Sequence, residues 1–326
     1  MSASPSVDNS RLPDFIIGGA MKSATSTLHY LLAQHEEVFI PDGEVHFFSV
    51  DDAVQHAEFF HRYGSEWAFQ DYERQFDTYC AWYRSFFEDA APGQLIGEDS
   101  TVYLASEKAP ARIADLIPDV QLIFLLRDPV DRAYSHYWHL LRTGRATHRF
   151  RDALQYGRAT LLTRGFYRQQ LERYLDHFPR EQITVLLFED FIQDLQAHVD
   201  SLCGTLGLSG SVDLSAVDTT TRNIARIPRW PGLLAFQNWL LRSRNARHYQ
   251  HHLPDMPTDD DTFVGWVLDN VNFRVRNWNL GDRPAPPMDS STESFLQRLY
   301  AKENRGLSDL IGVDLARYWP YMEDST

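Results

Sequence analysis

The sequence has little that would cross-link the chain or hold a metal ion. Only two of its 326 residues are cysteines, Cys80 and Cys203, and they lie far apart in apolar, helix-like contexts. That usage predicts buried free thiols, without a disulfide framework or a cysteine metal site. Internal repeats and low-complexity tracts are also lacking, which favours one domain over residues 11–326 behind a flexible tail at residues 1–10.

Positive charge and long apolar runs are scarce as well. The 31 Lys and Arg residues are outnumbered by 45 Asp and Glu residues, which gives a formal net charge of −14. This balance argues against a nucleic acid partner, because phosphate backbones are bound by clustered Lys and Arg. No apolar run approaches the roughly 18 residues of a membrane span, and the N-terminal residues lack the pattern of a signal peptide. We therefore expect a soluble, cytoplasmic protein.

What the sequence does have is a succession of short apolar runs separated by helical patterns. Five segments are typical of buried strands: "DFIIGG", "VFIP", "QLIGEDS", "VQLIFLLRDP" and "ITVLLFEDF". They predict an α/β, P-loop-like three-layer fold with a central parallel sheet flanked by helices. The aromatic-rich segment from Ala53 to Phe87 is expected to be helical with loop breaks. After Gly210 the strand signals fade, and residues Asp213 to about Pro287 are expected to form helices and loops over the C-terminal edge of the sheet.

The turn after the first strand, within "FIIGGAMKSATSTLHYLL" (Phe15 to Leu32), has the composition of an anion site. The N–H groups and the dipole at the start of a helix favour an anion, and Lys22 adds a full positive charge. Hydroxyl groups can donate to phosphate oxygens, and four follow the lysine: Ser23, Thr25, Ser26 and Thr27. A helix cap in a solvated turn is the plainer alternative. The loop lacks the "GK[ST]" of a triphosphate loop, so a ligand with a shorter 5′ anion fits better.

A second polar strand end lies in "LIFLLRDPVDRAYSHYWHL". The apolar strand ends at Arg127, Pro129 suits the first turn of a helix, and Ser135 lies two turns further on. Arg127 and Ser135 together could bind a second phosphate. An ordinary ion pair of Arg127 with Asp128 or Asp131 is the structural alternative.

Other basic residues form smaller groups. The first is expected to be a solvated helix face: Arg142, Arg145, Arg149 and Arg151. The second lies in and beside "TRNIARIPR": Arg222, Arg226 and Arg229. The histidines of "RHYQHH" lack matching Cys or carboxylate spacing, so a surface loop is expected there in preference to a metal site: His248, His251 and His252.

The two strand ends, in this order, resemble the motifs of the PAPS-dependent sulfotransferases, where PAPS is 3′-phosphoadenosine 5′-phosphosulfate. "KSATSTL" is similar to their 5′-phosphosulfate loop, and "LLRDPVDRAYSHY" is similar to their 3′-phosphate motif. The resemblance extends to "GEVHFF", "GEDSTVYL", "RGFYRQQLERYLDHFPREQITVLLFEDF" and "YAKENRGLSDLIG", so it covers most of the chain. It is closest to the branch that includes the heparan-sulfate sulfotransferase domains and many bacterial relatives.

The resemblance implies a role for each matching position. PAPS is the implied donor, 3′-phosphoadenosine 5′-phosphate (PAP) is the product, and no metal is implied. Lys22 would bridge the 5′-phosphate and the departing sulfuryl group, while Arg127 and Ser135 would hold the 3′-phosphate. The other implied donor contacts are Ser23, Ala24, Thr25, Ser26, Thr27 and, from a late loop, Arg226 or Arg229.

Sulfuryl transfer also needs a base, because the acceptor loses a proton as the S–O bond forms. In the resembling branch a glutamate just before an "HFF"-like stretch plays this part, and Glu44 in "GEVHFF" matches it. His46 would face the same side if the segment is extended, as a second candidate base or a positioning group. The substrate contacts expected around them are Phe48, Asp99 and Tyr103.

Two positions depart from the family pattern. The family loop usually carries glycine where Ala24 stands, and the cradle should survive if the φ of Ala24 is negative. Glycan-modifying relatives tend to carry lysine at the position of Asp99, where a carboxylate would repel a sulfated chain. With the net charge of −14, this predicts a neutral or cationic small metabolite as the acceptor, which would be sulfated at a hydroxyl or at an N–H group. The alternatives are a carbohydrate or glycolipid acceptor, an ATP-dependent small-molecule kinase, and a nucleotide-binding regulatory module without turnover.

Overall fold

A computed structural model describes residues 12–63, 66–216, 226–242, 254 and 263–322. Within these ranges the strands are β1 (Phe15–Gly19), β2 (Val38–Phe39), β3 (His61–Tyr63), β4 (Glu66–Ala68), β5 (Leu95–Asp99), β6 (Gln121–Leu126), β7 (Ile183–Leu187), β8 (Ile227–Pro228) and β9 (Leu280–Gly281). The α-helices are α1 (Thr25–Leu32), α2 (Phe76–Ser85), α3 (Ala109–Leu116), α4 (Pro129–Arg142), α5 (Phe150–Tyr156), α6 (Thr160–Thr163), α7 (Tyr167–Leu175), α8 (Phe188–Phe191), α9 (Leu195–Thr205), α10 (Pro231–Leu240), α11 (Phe263–Asn279), α12 (Ser290–Glu303) and α13 (Leu307–Ile311).

The five segments predicted as buried strands form one parallel sheet, which confirms the predicted fold class. Its strand order is β2-β5-β1-β6-β7. The first strand is therefore central, with β5 and β6 on either side of it. Because the carboxyl ends of parallel strands meet at one edge of a sheet, the segments that follow these three strands are brought together there.

Both faces of the sheet are covered, as the continuous apolar runs predicted. Ile16 packs into one core cluster with residues of α3 and α7, whereas Phe15 and Ile17 pack into the opposite cluster with residues of α1 and α9. The alternation follows from the two-residue period of a strand. The predicted burial of both cysteine thiols is confirmed, since Cys80 and Cys203 are free and buried.

The predictions outside the sheet need two corrections. The segment from Ala53 to Phe87 contains the antiparallel hairpin β3–β4 as well as the helix α2. The region after Gly210 contains a two-stranded ribbon, β8–β9, in addition to the expected helices. Strands of two or three residues are too short to leave a periodic pattern in the sequence, so neither pairing could be read from it.

Candidate active site

A cavity of about 1340 Å³ lies at the C-terminal edge of the sheet. Its walls include residues that follow the carboxyl ends of four strands: Met21 after β1, Thr101 after β5, Arg127 after β6 and Phe188 after β7. Eight of the sequence-predicted site residues line it: Lys22, Ala24, Thr25, Ser26, Glu44, His46, Arg127 and Ser135. The fold thus joins the two predicted anion motifs and the candidate base in one cavity.

The loop between β1 and α1 is a left-handed turn. Lys22 has a φ of 73°, and Ala24, which caps the first helix, has a φ of 66°. The condition that Ala24 has a negative φ is therefore not met, since it adopts the conformation that glycine favours, at a cost of about 1 kcal/mol. Left-handed residues turn successive backbone N–H groups into a concave nest that suits an anion.

The hydroxyls of this loop divide into two pairs. Thr25 and Ser26 line the cavity, whereas the side chains of Ser23 and Thr27 are buried and lie off its wall. Thr25 and Ser26 also begin α1, where the first N–H groups have no partner within the helix. The cavity side of the cradle therefore consists of backbone N–H groups, two hydroxyls and the Lys22 amine.

Arg127 and Ser135 line the same cavity as this cradle. Arg127 Nη1 donates to the carbonyl oxygen of Lys22 at 3.3 Å, and its guanidinium carbon lies 4.6 Å from the centre of the Phe188 ring. Its Nη2 lies 3.7 Å from Asp131 Oδ2, so the alternative ion pair is also present. That carboxylate is 65% exposed, and such pairs contribute little. Arg127 Nε is buried without a hydrogen-bond partner among the described residues, which suits an added phosphate acceptor.

Two arginines beyond Ser135 correct the expectation of a solvated helix face. The cavity-lining residues of α4 recur at helical spacing: Asp131, Tyr134, Ser135, Trp138, His139 and Arg142. Arg145, just after the helix, also lines the cavity, where its Nη1 lies 3.0 Å from Glu58 Oε1. Only Arg149 and Arg151, farther along, are exposed as expected.

The charge inside the cavity differs from that of the whole chain. The pKa of Lys22 is lowered to about 8, chiefly by burial and then by the positive charges of Arg142 and Arg127. Among the described residues that line the cavity, six are Lys or Arg and five are Asp or Glu, so the lining is slightly basic in a protein that is acidic as a whole. This local excess of positive charge favours an anionic ligand despite the net charge.

The candidate base, Glu44, lies near enough to Lys22 for the lysine charge to influence its pKa. Thr101 Oγ1 donates to Glu44 Oε1 at 2.8 Å, and His46 Nε2 lies 3.3 Å from Glu44 Oε2. Burial raises the pKa of Glu44, which brings the carboxylate nearer to a useful basicity. Burial, followed by the charge of Arg164, lowers the pKa of His46 to about 3, so its imidazole is neutral.

His46 reaches Glu44 by a different backbone from the one expected. The segment is not extended: His46 has a φ of 59° and caps a short 3₁₀ helix at Phe47–Ser49. The left-handed residue reverses the chain, and this reversal turns the imidazole back toward the carboxylate two residues earlier.

Sequence reasoning missed several residues that line the cavity: Gln55, His56, Glu58, Phe59, His139 and Arg164. Arg164 is buried, and it donates from Nε to Gln55 Oε1 at 2.9 Å and from Nη2 to the Gln55 carbonyl oxygen at 3.0 Å. Arg164 opens the segment "RGFYRQQL", so its place in a family-like motif was a usable signal. Gln55 and Glu58 lie outside regular α-helix and strand, and no spacing pattern marks them.

Three expected substrate contacts do not line the cavity. Phe48 and Tyr103 have no exposed surface, and their rings pack edge to face at 5.5 Å in the core. Asp99 is buried at the end of β5, where its Oδ2 lies 3.3 Å from His29 Nδ1 of α1. The assignment of these residues to the acceptor site is therefore corrected, because their side chains enter the core or face α1.

The late basic loop is also placed differently. Arg226 and Arg229 are exposed and lie off the cavity wall, although Ile227 between them lines it. Arg226 Nε instead lies 3.4 Å from Asp282 Oδ1. Among the described residues of this region, Arg283, which follows β9, does line the cavity. Arg222 and the three histidines of "RHYQHH" lie outside the described residues.

Within the described ranges of the chain, no group of three or more His, Cys, Asp or Glu side chains could hold a metal ion. Nor is any helix in those ranges long and apolar enough to cross a membrane.

Comparison with known proteins agrees with the predicted family and with the fold. The sequence profile of the Sulfotransferase family matches residues 13–212, which is more than half of the chain. The chain therefore belongs to the sulfotransferase family, and the family predicted from the two anion motifs is confirmed.

Two human relatives of similar sequence are heparan sulfate sulfotransferases by name. Heparan sulfate glucosamine 3-O-sulfotransferase 3B1 of Homo sapiens is 29% identical over 207 residues, which cover 61% of this chain and 47% of the relative. Bifunctional heparan sulfate N-deacetylase/N-sulfotransferase 2 of Homo sapiens is 27% identical over 303 residues, covering 88% and 31%. The chain thus spans less than half the length of these two relatives.

A solved structure matches almost the whole chain. The crystal structure of a sulfotransferase from Alicyclobacillus acidocaldarius has a TM-score of 0.60 and 26% sequence identity, covering 94% of this chain and 98% of its own. The similarity therefore includes the C-terminal helices as well as the parallel sheet.

Proposed function

We propose that this protein transfers the sulfuryl group of PAPS to a hydroxyl of an acceptor. The observation that carries the proposal is the placement of Lys22, Glu44 and Arg127 on the wall of one cavity, although they come from three separate chain segments. Lys22 and Glu44 are near enough for each charge to affect the pKa of the other. A donor cradle with a carboxylate beside it is the arrangement that group transfer to a hydroxyl requires.

The donor fits the two anion sites. The 5′-phosphosulfate would lie against the left-handed turn, with Lys22, Thr25 and Ser26 around it. The 3′-phosphate would meet Arg127 and Ser135, and this second site is what distinguishes PAPS from nucleotides such as AMP that lack the 3′ group. The kinase alternative has no support in the loop, because Met21 stands where a triphosphate loop has the glycine directly before its lysine.

The chemistry is an in-line displacement at sulfur. The acceptor oxygen forms a bond to sulfur while the bond between sulfur and the bridging oxygen of the 5′-phosphate breaks. Glu44 takes the proton of the acceptor hydroxyl, and neutral His46, in the tautomer that carries a hydrogen on Nε2, donates to Glu44 and holds its orientation. Lys22 stabilises the negative charge that develops on the departing PAP, as oxyanion-stabilising groups do.

A carbohydrate hydroxyl is the acceptor class that we favour. The names of the two human relatives indicate carbohydrate acceptors, and aromatic rings on the cavity wall could contact sugar rings: Phe59, Phe86 and Trp138. The sequence argument for a neutral or cationic small metabolite rested on the net charge of −14 and on Asp99, and Asp99 lies off the cavity. Arg142 on the wall favours a neutral or anionic acceptor over a cationic one.

An acceptor screen tests the proposal. The full chain is incubated with PAPS and either a panel of oligosaccharides or a metabolite extract, and products are searched for the mass gain of one sulfo group. We expect sulfated carbohydrate with wild type and none with Lys22→Ala. The control Arg168→Ala should behave as wild type, because Arg168 is a half-buried residue off the cavity wall that pairs with Glu172. Binding of PAP without transfer to any member of the panel or extract would count against the enzyme and favour a regulatory module.

A further inference from the structure

Two buried hydroxyl groups, those of Ser100 and Tyr103, hold the loop that carries the candidate base. Ser100 Oγ accepts hydrogen bonds from the backbone N–H groups of Val45 at 3.2 Å and His46 at 3.0 Å. Tyr103 OH accepts one from the N–H of Phe48 at 3.3 Å. Three of the five residues from 44 to 48 are thus fixed through their backbone by side chains that follow β5.

One carboxylate makes both hydroxyls available as acceptors. Ser100 Oγ and Tyr103 OH each donate to Glu98 Oε1 at 2.6 Å, and Tyr83 OH donates to Glu98 Oε2 at 2.5 Å. A hydroxyl carries a single hydrogen, so donation to Glu98 leaves its lone pairs for the N–H groups of the loop. Glu98 has no exposed surface and does not line the cavity, so it acts only through these neighbours.

The loop needs such support because its backbone is strained. His46 has a φ of 59°, which residues other than glycine adopt only where the surrounding structure holds them. The bond from Ser100 to the His46 N–H is made at the strained residue itself. The bonds to the N–H groups of Val45 and Phe48 fix the backbone before and after His46. Together the three bonds hold the turn that brings His46 back toward Glu44.

We propose that Glu98 is a positioning residue: through the hydroxyls of Ser100 and Tyr103 it holds loop 44–48 in the conformation that directs Glu44 and His46 into the cavity. The proposal rests on the proposed function for its catalytic consequence, and on the hydrogen bonds alone for its conformational one. Through Glu98 and Ser100, the "GEDST" part of "GEDSTVYL" supports the loop of the candidate base, and it also forms the end of β5.

The chain offers a matched control for the test. Ser106 is also fully buried, donates to a carboxylate, Asp52 Oδ2, at 2.7 Å, and accepts two backbone N–H bonds, from Lys108 and Ala109, each at 3.2 Å. Those bonds support the start of α3 in place of the base loop. Ser100→Ala and Ser106→Ala therefore remove the same set of bonds from two different places.

The experiment compares these two variants with wild type by PAP titration, steady-state kinetics on the acceptor found in the screen, and amide hydrogen exchange. Ser100→Ala should lower kcat by about tenfold or more, with the KM for PAPS and the Kd for PAP unchanged, because a misplaced base slows the reaction without weakening donor binding. Its amides at Val45 and His46 should exchange at least about tenfold faster. Ser106→Ala should lower thermal stability to a similar extent and leave kcat and those two amides as in wild type.

Two further variants separate Glu98 from its neighbours. Glu98→Gln keeps an oxygen that can accept from Ser100 and Tyr103 while its amide donates to Tyr83, so it should retain most of kcat, whereas Glu98→Ala should resemble Ser100→Ala. Unchanged kcat and amide protection in Ser100→Ala would overturn the proposal, as would an equal loss of kcat in Ser106→Ala. If wild type transfers no sulfuryl group, the proposed function fails, and the exchange comparison by itself decides the positioning role.

Discussion

Arg127 is expected to bind the 3′-phosphate of the donor. The variant Arg127→Ala should therefore weaken PAP binding far more than AMP binding. These nucleotides differ only in the 3′-phosphate. Arg127→Ala also removes the hydrogen bond from Nη1 to the Lys22 carbonyl oxygen. Any loosening of the 5′ cradle that follows affects both ligands, so it cancels in the ratio of their affinities.

The expected size of the effect follows from the contacts of the guanidinium. Its existing partner Asp131 is 65% exposed and lies 3.7 Å away, so giving up that ion pair costs little. A new hydrogen bond between charged groups contributes about 1.5–3 kcal/mol. A coupling of about 2 kcal/mol corresponds to roughly a 30-fold larger loss of affinity for PAP than for AMP.

Isothermal titration of both nucleotides into wild type, Arg127→Ala and the control Arg168→Ala, all at one ionic strength, measures this coupling. The control should leave both affinities unchanged, since Arg168 lies off the cavity wall, where it pairs with Glu172. If Arg127→Ala weakened PAP and AMP by the same factor, the residue would support the loop and would not recognise the 3′-phosphate.

Three other predictions concern charge and strain. PAP affinity should fall as the pH rises through about 8. Burial lowers the pKa of Lys22 to that value, so the lysine then loses the positive charge that attracts phosphate. Equal PAP affinities across this pH range would contradict the assignment of Lys22 to the donor site. Ala24→Gly should stabilise the fold by about 1 kcal/mol by relieving the left-handed residue, and a lower urea midpoint would show that no strain was present. Glu58→Gln should lower the free energy of unfolding by about 3–5 kcal/mol in urea, because the guanidinium groups of Arg145 and Arg158 lose their buried counter-charge. A loss near zero would mean that the glutamine amide satisfies the hydrogen bonds of both arginines.

The fold and the anion cradle could be predicted because their signals are local. A buried parallel strand is a continuous apolar run, and the cradle is a short motif whose glycines, lysine and hydroxyls are adjacent in the sequence. Even the conformation of Ala24 had a signal, since a position that relatives fill with glycine favours a positive φ.

The acceptor side of the cavity could not be predicted in the same way. Glu98 and Asp99 are adjacent, yet Glu98 accepts hydrogen bonds from Tyr83 and Tyr103 whereas Asp99 faces His29. The reason is that neighbouring side chains of a strand point to opposite faces. The sequence does not say which face adjoins the cavity. Arg142 did carry a signal, because it lies seven residues after Ser135 and so on the same helix face, but a basic helix face facing solvent has the same pattern.

Single-turnover transfer from PAPS, with enzyme in excess over donor, tests the central claim most directly, because it reports the chemical step without product release. Glu44→Gln is isosteric and should bind PAP as wild type does, while the rate of sulfuryl transfer falls by about 10²–10⁴-fold through loss of the base. Unchanged transfer in Glu44→Gln would contradict the assignment of the base, and absence of transfer in wild type that binds PAPS would contradict the account as a whole.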